Sequence, residues 1–450
     1  MLGERGRKRD LGSYDKQQPA HNDGFASGDF APDHMFLYCE KPCSIGGANF
    51  LVDALRLASL LAADDPGFAS SSGMSPSTTA SRTWHGPMPL PSRRARWTSR
   101  RRTWLRFGSF SLVEPRRLTN LDPALRAWWH PVALATDLAD SPLAVTLFGE
   151  PYVVVRLHGR LAAFPDRCPH RLAPLSAGSV VGAELECGYH GWRFGSDGRC
   201  AAIPALGEDA MIPSRAALDP LGVEERHGLI FLAVADPGDC TDVRLDVPEW
   251  DAAGFEVAWL PIVDASISAG QFIDNFLDVA HFPFVHTGTF GAAELPTVGD
   301  IDVARSGWTF RSTYDHMVNN SEDPKVAIGE HPLLQPRSTE YTYAAPFSVR
   351  LRLEYPVAET VNVIALWVQP LREHTSRIYC ALIRDDITSV SVAQGFVDYE
   401  MAVVAEDLRT LERIEPKALT IDATFEVHTR ADRTTVELRR VLRDLVDRAR

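Results

Sequence analysis

Two short strings, Cys168-Pro169-His170 and Cys187-Gly188-Tyr189-His190, constrain this chain more than any other part of it. Sixteen residues separate His170 from Cys187. Two thiolates and two imidazoles form a metal-binding set, and zinc is one ion that such a set can take. Two features point instead to iron and sulfur. Zinc fingers tend to group cysteine with cysteine and histidine with histidine, whereas each hairpin here offers one of each. A [2Fe–2S] cluster with both thiolates on one iron and both imidazoles on the other needs that arrangement. The seven cysteines of the chain are odd in number and scattered, unlike a disulfide framework. Metal ligation in a reducing compartment is therefore the expectation.

A second constellation lies in Asn275-Phe-Leu-Asp278-Val-Ala-His281-Phe-Pro-Phe-Val-His286. On a helix, Asn275, Asp278 and His281 fall three apart and share one face. Pro283 should end or kink that helix, since it donates no backbone hydrogen bond, and bring His286 round towards His281. Two partly buried histidines without a metal are the competing reading; a zinc protease is disfavoured because H-E-x-x-H is absent. A 2-His-1-carboxylate iron site needs an acid and leaves positions open for O2 and substrate. Asp407 is the candidate, with Glu406 the fallback. In helical register Asp407 shares a face with Val403, Val404 and Leu411, where an unpaired carboxylate is costly and ligation removes the cost. Against it stands the reading in which Glu400, Glu406 and Asp407 are solvated surface acids.

The 450 residues allow two or three domains, and a hydrophobic fraction of 45% suits a substantial core. The net charge of −13 argues against nucleic acid as the main partner. No run of 18 apolar residues suggests a membrane span, and the polar start suggests no secretory signal, so a cytoplasmic location is expected. Residues 67–118 change character: a Ser/Thr-rich run precedes eight arginines from Arg82 to Arg106, which reads as a disordered, solvated linker. Beyond it, residues 119–240 show short apolar runs such as Tyr152-Val153-Val154-Val155 between Gly/Pro/Asp turns, as in a small all-β domain. Residues 241–450 mix strands (361–368, 377–383) with helical stretches near 268–282, 391–413 and 434–449, an α+β pattern.

The string from Cys168 to Gly178, followed by Cys187-Gly-Tyr-His-Gly-Trp-Arg-Phe, resembles the Rieske motif of ring-hydroxylating and demethylating oxygenases. Arg171 and Gly191 follow the histidines where the cytochrome bc-type proteins carry an extra cysteine pair, which disfavours that class. Histidine ligation raises the cluster potential to roughly −150 to +300 mV, suited to one-electron delivery. The 275–286 string likewise resembles the D-x-x-H-x-x-x-x-H signature of Rieske non-haem iron oxygenases, and the Glu406-Asp407 segment resembles the one carrying their third ligand.

This resemblance, spanning about residues 119–450, implies a Rieske β-domain followed by a helix-grip (START-like) catalytic domain in a head-to-tail homotrimer. It implies mononuclear Fe(II) at His281, His286 and Asp407. Asp278 would join His281 to His190 of the adjacent chain as an electron bridge, and Asn275 would stand near the iron. O2 would be the co-substrate, with electrons from NAD(P)H through a separate reductase or ferredoxin, since the chain shows no flavin or nicotinamide fingerprint. Trp128-Trp129-His130-Pro131-Val132 resembles the opening of the vanillate and dicamba demethylase branch, so hydroxylation or O/N-demethylation of a small aromatic compound is expected. N-oxidation, desaturation or ring closure in secondary metabolism, and pure electron transfer with a decayed iron site, are the rivals. Phe282, Phe284, Phe290, Trp308 and Phe347 are candidate pocket residues.

At the front, His21-Asn-Asp23 with its flanks resembles part of a TauD/TfdA-type 2-oxoglutarate dioxygenase. Residues 1–66 are too short to complete that fold, so a truncated fragment without a second activity is expected.

Overall fold

In the computed structural model, residues 34–38, 49–53, 114–207, 211–240 and 242–449 are described. His34–Tyr38 and Asn49–Asp53 pair antiparallel. The rest of the expected dioxygenase fragment, with His21 and Asp23, and the arginine-rich stretch up to 113 lie outside the described residues.

From residue 130 onward, apolar runs and tight turns produce short antiparallel strands. Leu143–Leu147, Glu150–Leu157 and Arg160–Pro165 form a three-stranded sheet. Its hairpins turn on Phe148-Gly149 and His158-Gly159, both residues of each pair at positive φ, which matches the twist of the flanking strands. A four-stranded sheet (Ser179–Val181, Glu184–Glu186, Arg193–Phe194, Cys200–Ala202) packs against it. Val153, Val155, Phe164, Leu175, Leu185 and Phe194 form the core between them.

A third sheet carries this module into the next. Leu229–Ala233 pairs with His130–Leu134 and with Gly222–Arg226, and all five of its residues are buried. Ile230 and Leu232 join one core cluster while Leu229 and Phe231 join another that contains Trp367 and Tyr379. Strand periodicity sends alternate side chains to opposite faces, so this one strand serves two cores.

The second module is an antiparallel sheet of β1 (Glu256–Trp259), β2 (Val263–Ala265), β3 (Asp302–Ser306), β4 (Thr309–Asn319), β5 (Leu334–Ala344), β6 (Ser348–Tyr355), β7 (Thr360–Arg372) and β8 (Thr375–Arg384). The order is β1-β8-β7-β6-β5-β4-β3, with β2 also pairing β8. The helices that accompany it include α1 (Ala269–Leu277), α2 (Phe282–Val285), α3 (Val390–Leu411) and α4 (Arg433–Arg448). Ser268 caps α1, its Oγ accepting the Gln271 N–H, and Ser389 caps α3 by accepting the Val392 N–H. Helix α4 buries Leu438, Val441, Leu442 and Leu445, an i, i+3, i+4, i+7 stripe. The whole is an all-β domain followed by an α+β domain, as expected. Among the described residues no helix is long and apolar enough to cross a membrane.

One expected element is corrected. The helix anticipated over 268–282 ends at Leu277, because Asp278 is extended (φ −78°, ψ 134°) and its Oδ1 accepts the Ala280 N–H at 2.9 Å. An aspartate bonding two residues ahead competes with helix continuation. Asn275, Asp278 and His281 therefore do not share a helical face. Pro283 does not end a helix; it sits in the first turn of α2, where its missing N–H is not needed.

Candidate metal centres and active-site cavity

The two hairpins bearing Cys168 and Cys187 are built alike. In each, the cysteine carbonyl accepts a backbone N–H from four residues on: Leu172 to Cys168 at 2.9 Å, Gly191 to Cys187 at 3.0 Å. Both fourth residues have positive φ (59° and 68°), a conformation free for Gly191 and strained for Leu172. The loops approach closely because Gly178 lacks a side chain; a Cβ there would lie 2.0 Å from the Glu186 carbonyl oxygen.

This places the two buried thiols together in the core and the two imidazoles together outside it. Both cysteines are at most 2% exposed, while the His170 and His190 rings meet edge-on at 4.5 Å and His190 is exposed. Trp192 stacks flat on His170 at 4.6 Å. Burial pushes the Cys168 thiol up to about 11, so in the cluster-free chain it is protonated. The donors do not converge on one point: among the described residues, the single set of three or more donor atoms within 4.8 Å of one another lies elsewhere. A sulfur pair beside a nitrogen pair suits two irons rather than one tetrahedral zinc. His170 Nδ1 is buried without a hydrogen-bond partner, a donor atom left for a ligand.

The set that does converge is His281, His286 and Asp407. His281 precedes α2 and His286 follows it, so a single turn presents both rings to the same space; Asp407 faces them from α3. The two Nε2 atoms lie 3.1 Å apart, and Asp407 Oδ1 lies 3.4 Å from one and 3.3 Å from the other. Both Nδ1 atoms are already engaged. Asp278 Oδ2 accepts from His281 Nδ1 at 3.1 Å, and Glu406 Oε2 accepts from His286 Nδ1 at 2.9 Å. Donation from Nδ1 fixes the tautomer and leaves each Nε2 with a lone pair. Two lone pairs and a buried carboxylate oxygen with no hydrogen-bond partner thus face one another, an arrangement that repels itself unless a cation stands between.

A proton fills that role in the metal-free protein. Burial works against charge on His281, but Asp278 and Asp407 outweigh it and lift the imidazole to about 9. Burial likewise favours the neutral form of Asp407, and the two histidines overcome it, drawing the carboxyl down to about 2. Three ligands with a fourth side open are what iron chemistry with O2 requires.

A cavity opens over the triad, lined by Asn275, Phe282, Phe290, Leu351, Leu353, Ile364, Val403, Val404 and further side chains of the sheet face and α3. Of the five aromatic residues expected to line it, Phe282 and Phe290 do. Three do not. Phe284 is 71% exposed on the outer side of α2, Trp308 packs edge-on against Trp128 at 5.2 Å, and Phe347 is buried beside His130. Glu406, held as a fallback for Asp407, is turned to His286 Nδ1 and to Thr289 Oγ1 instead of towards the centre. Sequence reasoning missed Arg337, Glu322 and Glu400, which also line the cavity. Their signal is period-2 placement on an inward sheet face or a helix stripe, and nothing in one sequence marks which face is inward.

An iron–sulfur domain joined to a domain that gathers two imidazoles and a carboxylate under an apolar cavity defines a two-centre oxygenase. The Rieske [2Fe-2S] domain family matches residues 128–218, and the vanillate O-demethylase oxygenase C-terminal domain family matches residues 267–448. The methylxanthine N1-demethylase NdmA of Pseudomonas putida is 32% identical over 336 residues, which cover 71% of this chain and 89% of that protein. The solved structure of Pseudomonas putida CBB5 NdmA with caffeine superposes with a TM-score of 0.64 at 29% identity, covering 73% of this chain and 93% of that one. Dicamba monooxygenase bound to dicamba gives a TM-score of 0.61 at 21% identity, over 72% and 99% of the two chains, a likeness of fold. The chain belongs to the Rieske non-haem iron oxygenases, a family of O2-dependent oxidoreductases. Both family matches lie downstream of residues 1–66, where the dioxygenase fragment is expected.

Proposed function

We propose that this chain is the oxygenase component of a demethylase that removes a methyl group from nitrogen or oxygen of a small aromatic compound. Cys168 and Cys187 hold one iron of the cluster and His170 and His190 the other; His281, His286 and Asp407 hold a mononuclear Fe(II). The observation that carries the reading is the convergence of two Nε2 lone pairs and Asp407 Oδ1 at the floor of an apolar cavity. When bound, the two groups supply one-electron delivery and O2 activation at the methyl carbon. The overall balance is X–CH3 + O2 + 2 e⁻ + 2 H⁺ → X–H + CH2O + H2O, the electrons coming from NAD(P)H through a separate reductase.

The chain's own residues shape that reaction. Asp278 and Glu406 keep protons on the Nδ1 atoms, so that both Nε2 atoms face the substrate space. Leu351, Leu353, Ile364, Val403 and Val404 present an apolar wall that seats a flat ring and displaces water. Asn275, on the last turn of α1, offers a carboxamide beside the imidazoles and belongs to the substrate's surroundings. His190 is exposed and Asp278 is partly exposed, which suits the head-to-tail homotrimer in which they meet across a subunit boundary.

Metal and sulfide analysis of anaerobically purified protein tests the reading, together with formaldehyde release from a panel of N-methyl and O-methyl aromatics in the presence of a reductase. About three irons and two sulfides per chain, with formaldehyde formed in step with O2 consumed, is the expected result. Two irons that do not rise on adding Fe(II) would leave an electron carrier, and oxidised products without formaldehyde would replace demethylation by another oxidation.

A further inference from the structure

Arg337 stands on β5 facing the cavity, only 5% exposed, and among the described residues no carboxylate lies within ion-pair distance of it. Its guanidinium donates to His316 at 2.9 Å and to the Tyr355 hydroxyl at 3.3 Å, and its Nε–H has no partner. Burying a cation without a counter-charge costs several kcal/mol, so its retention in a substrate cavity calls for an account. The nearby acids feel its charge but make no ion pair with it. Glu322 is paired with Arg384 at 3.0 Å, and the Glu400 carboxyl is pushed up to about 8, by burial first and then by Glu322.

The surroundings of Arg337 are rich in donors. Cross-strand register sets His316 opposite Arg337 and Tyr314 opposite Thr339, and Tyr341 follows two residues further along the same face. The hydroxyls of Tyr314, Thr339 and Tyr341 are buried and unsatisfied by hydrogen bonds of ordinary geometry. Burial holds both phenols far above their usual titration range, so they remain donors. A buried positive charge among hydroxyl donors is the complement of an oxyanion.

Its placement relative to the triad sets a length. Phe290 stacks on His286 at 4.7 Å and lies under the guanidinium at 5.0 Å; Phe282 meets His281 at 4.9 Å and the guanidinium at 6.0 Å. The cation and each imidazole thus contact a common aromatic ring, which bounds their separation to the reach of a small aromatic compound. We propose that Arg337 anchors a carboxylate on the substrate, so that the compounds demethylated are small aromatic acids bearing their N-methyl or O-methyl group across the ring from the acid. This rests on the demethylase reading for the reaction and adds the class of compound. It sets the chain apart from a relative whose structure holds the uncharged molecule caffeine.

Calorimetric titration of the metal-loaded enzyme with 3- and 4-methoxybenzoate and 3- and 4-(methylamino)benzoate, each against its benzamide, tests the anchor. The acids should bind at least about tenfold tighter than the amides. Arg337→Gln should abolish that preference and leave amide affinity unchanged, and Arg337→Lys should restore part of it. Tyr341→Phe, which keeps the ring, should weaken the acids severalfold and spare the amides, and serves if Arg337→Gln does not fold. Acids that bind no tighter than amides, or a preference that survives Arg337→Gln, would overturn the proposal. Formaldehyde release is followed in parallel: acid preference without formaldehyde from any compound would keep the anchor and remove the demethylase.

Discussion

Neighbouring carboxyls at Glu406 and Asp407 take opposite parts because 100° of helix separates them. Asp407 points its Oδ1 at the two Nε2 atoms, while Glu406 reaches round to the far nitrogen of His286. Their substitution should therefore separate. Asp407→Asn is expected to lower iron by about one per chain and leave acid-labile sulfide and the cluster's EPR signal intact. Glu406→Gln should weaken iron binding about 10–100-fold, with occupancy restored at excess Fe(II), since it orients a ligand and is not one. Equal losses of iron in the two variants would mean that the roles are shared. The apolar neighbours of Asp407 made it legible in the sequence as an acid needing a partner. Glu406 was not legible, because its partner lies 120 positions away on another element.

Among the elements, strands and long helices were readable from apolar period and turn residues, and the break between α1 and α2 was not. Pro283 drew attention, whereas the side chain of Asp278 ends the helix by bonding its own backbone two residues on. The strand His130–Leu134 offers a test of a different kind. His130 is 1% exposed, its Nε2–H donates to the Leu125 carbonyl at 2.9 Å, and burial drives its pKa down to about 4. The unfolded chain takes up this proton near pH 6.5, before the folded one does. Stability from the neutral buried ring is thus complete above pH 6.5, is lost as pH falls towards 4, and changes no further below that. The loss amounts to about 3 kcal/mol at most. His130→Gln keeps a donor for Leu125 without the titration. Whatever their separation at pH 7, the denaturation midpoint of the unmutated protein should fall relative to that of His130→Gln between pH 7 and 4; parallel curves would show that His130 does not titrate on unfolding.

For the molecule as a whole, the question is where an electron leaves the cluster. His190 is exposed at the tip of its hairpin beside Tyr189 and Leu172, 62% and 65% exposed, an apolar rim of the kind that marks a contact surface. Phe284, one of the three expected aromatic residues that do not line the cavity, is 71% exposed next to the triad. An apolar rim at one centre and an apolar residue beside the other suit a heterologous, ring-closing contact, in which the cluster of one subunit serves the iron of the next. Two inactive variants distinguish this from transfer within a subunit. His190→Ala removes an imidazole of the cluster, and Asp407→Ala removes a donor of the triad. In hybrids refolded or co-expressed at equal ratio, a cross-subunit path pairs a sound cluster with a sound iron at about a quarter of the contacts of a closed ring. Oxygen-dependent turnover should accordingly return to about a quarter of the unmutated level, although each variant alone is dead. Transfer within a subunit would give no recovery, because every chain in the hybrid lacks one centre. With iron restored by excess Fe(II), Asp278→Asn should then cut turnover by about 10–100-fold at unchanged sulfide content, since it disturbs the carboxylate that holds His281 and borders the contact. A hybrid that recovers while Asp278→Asn remains fully active would keep the ring and move the path away from this residue.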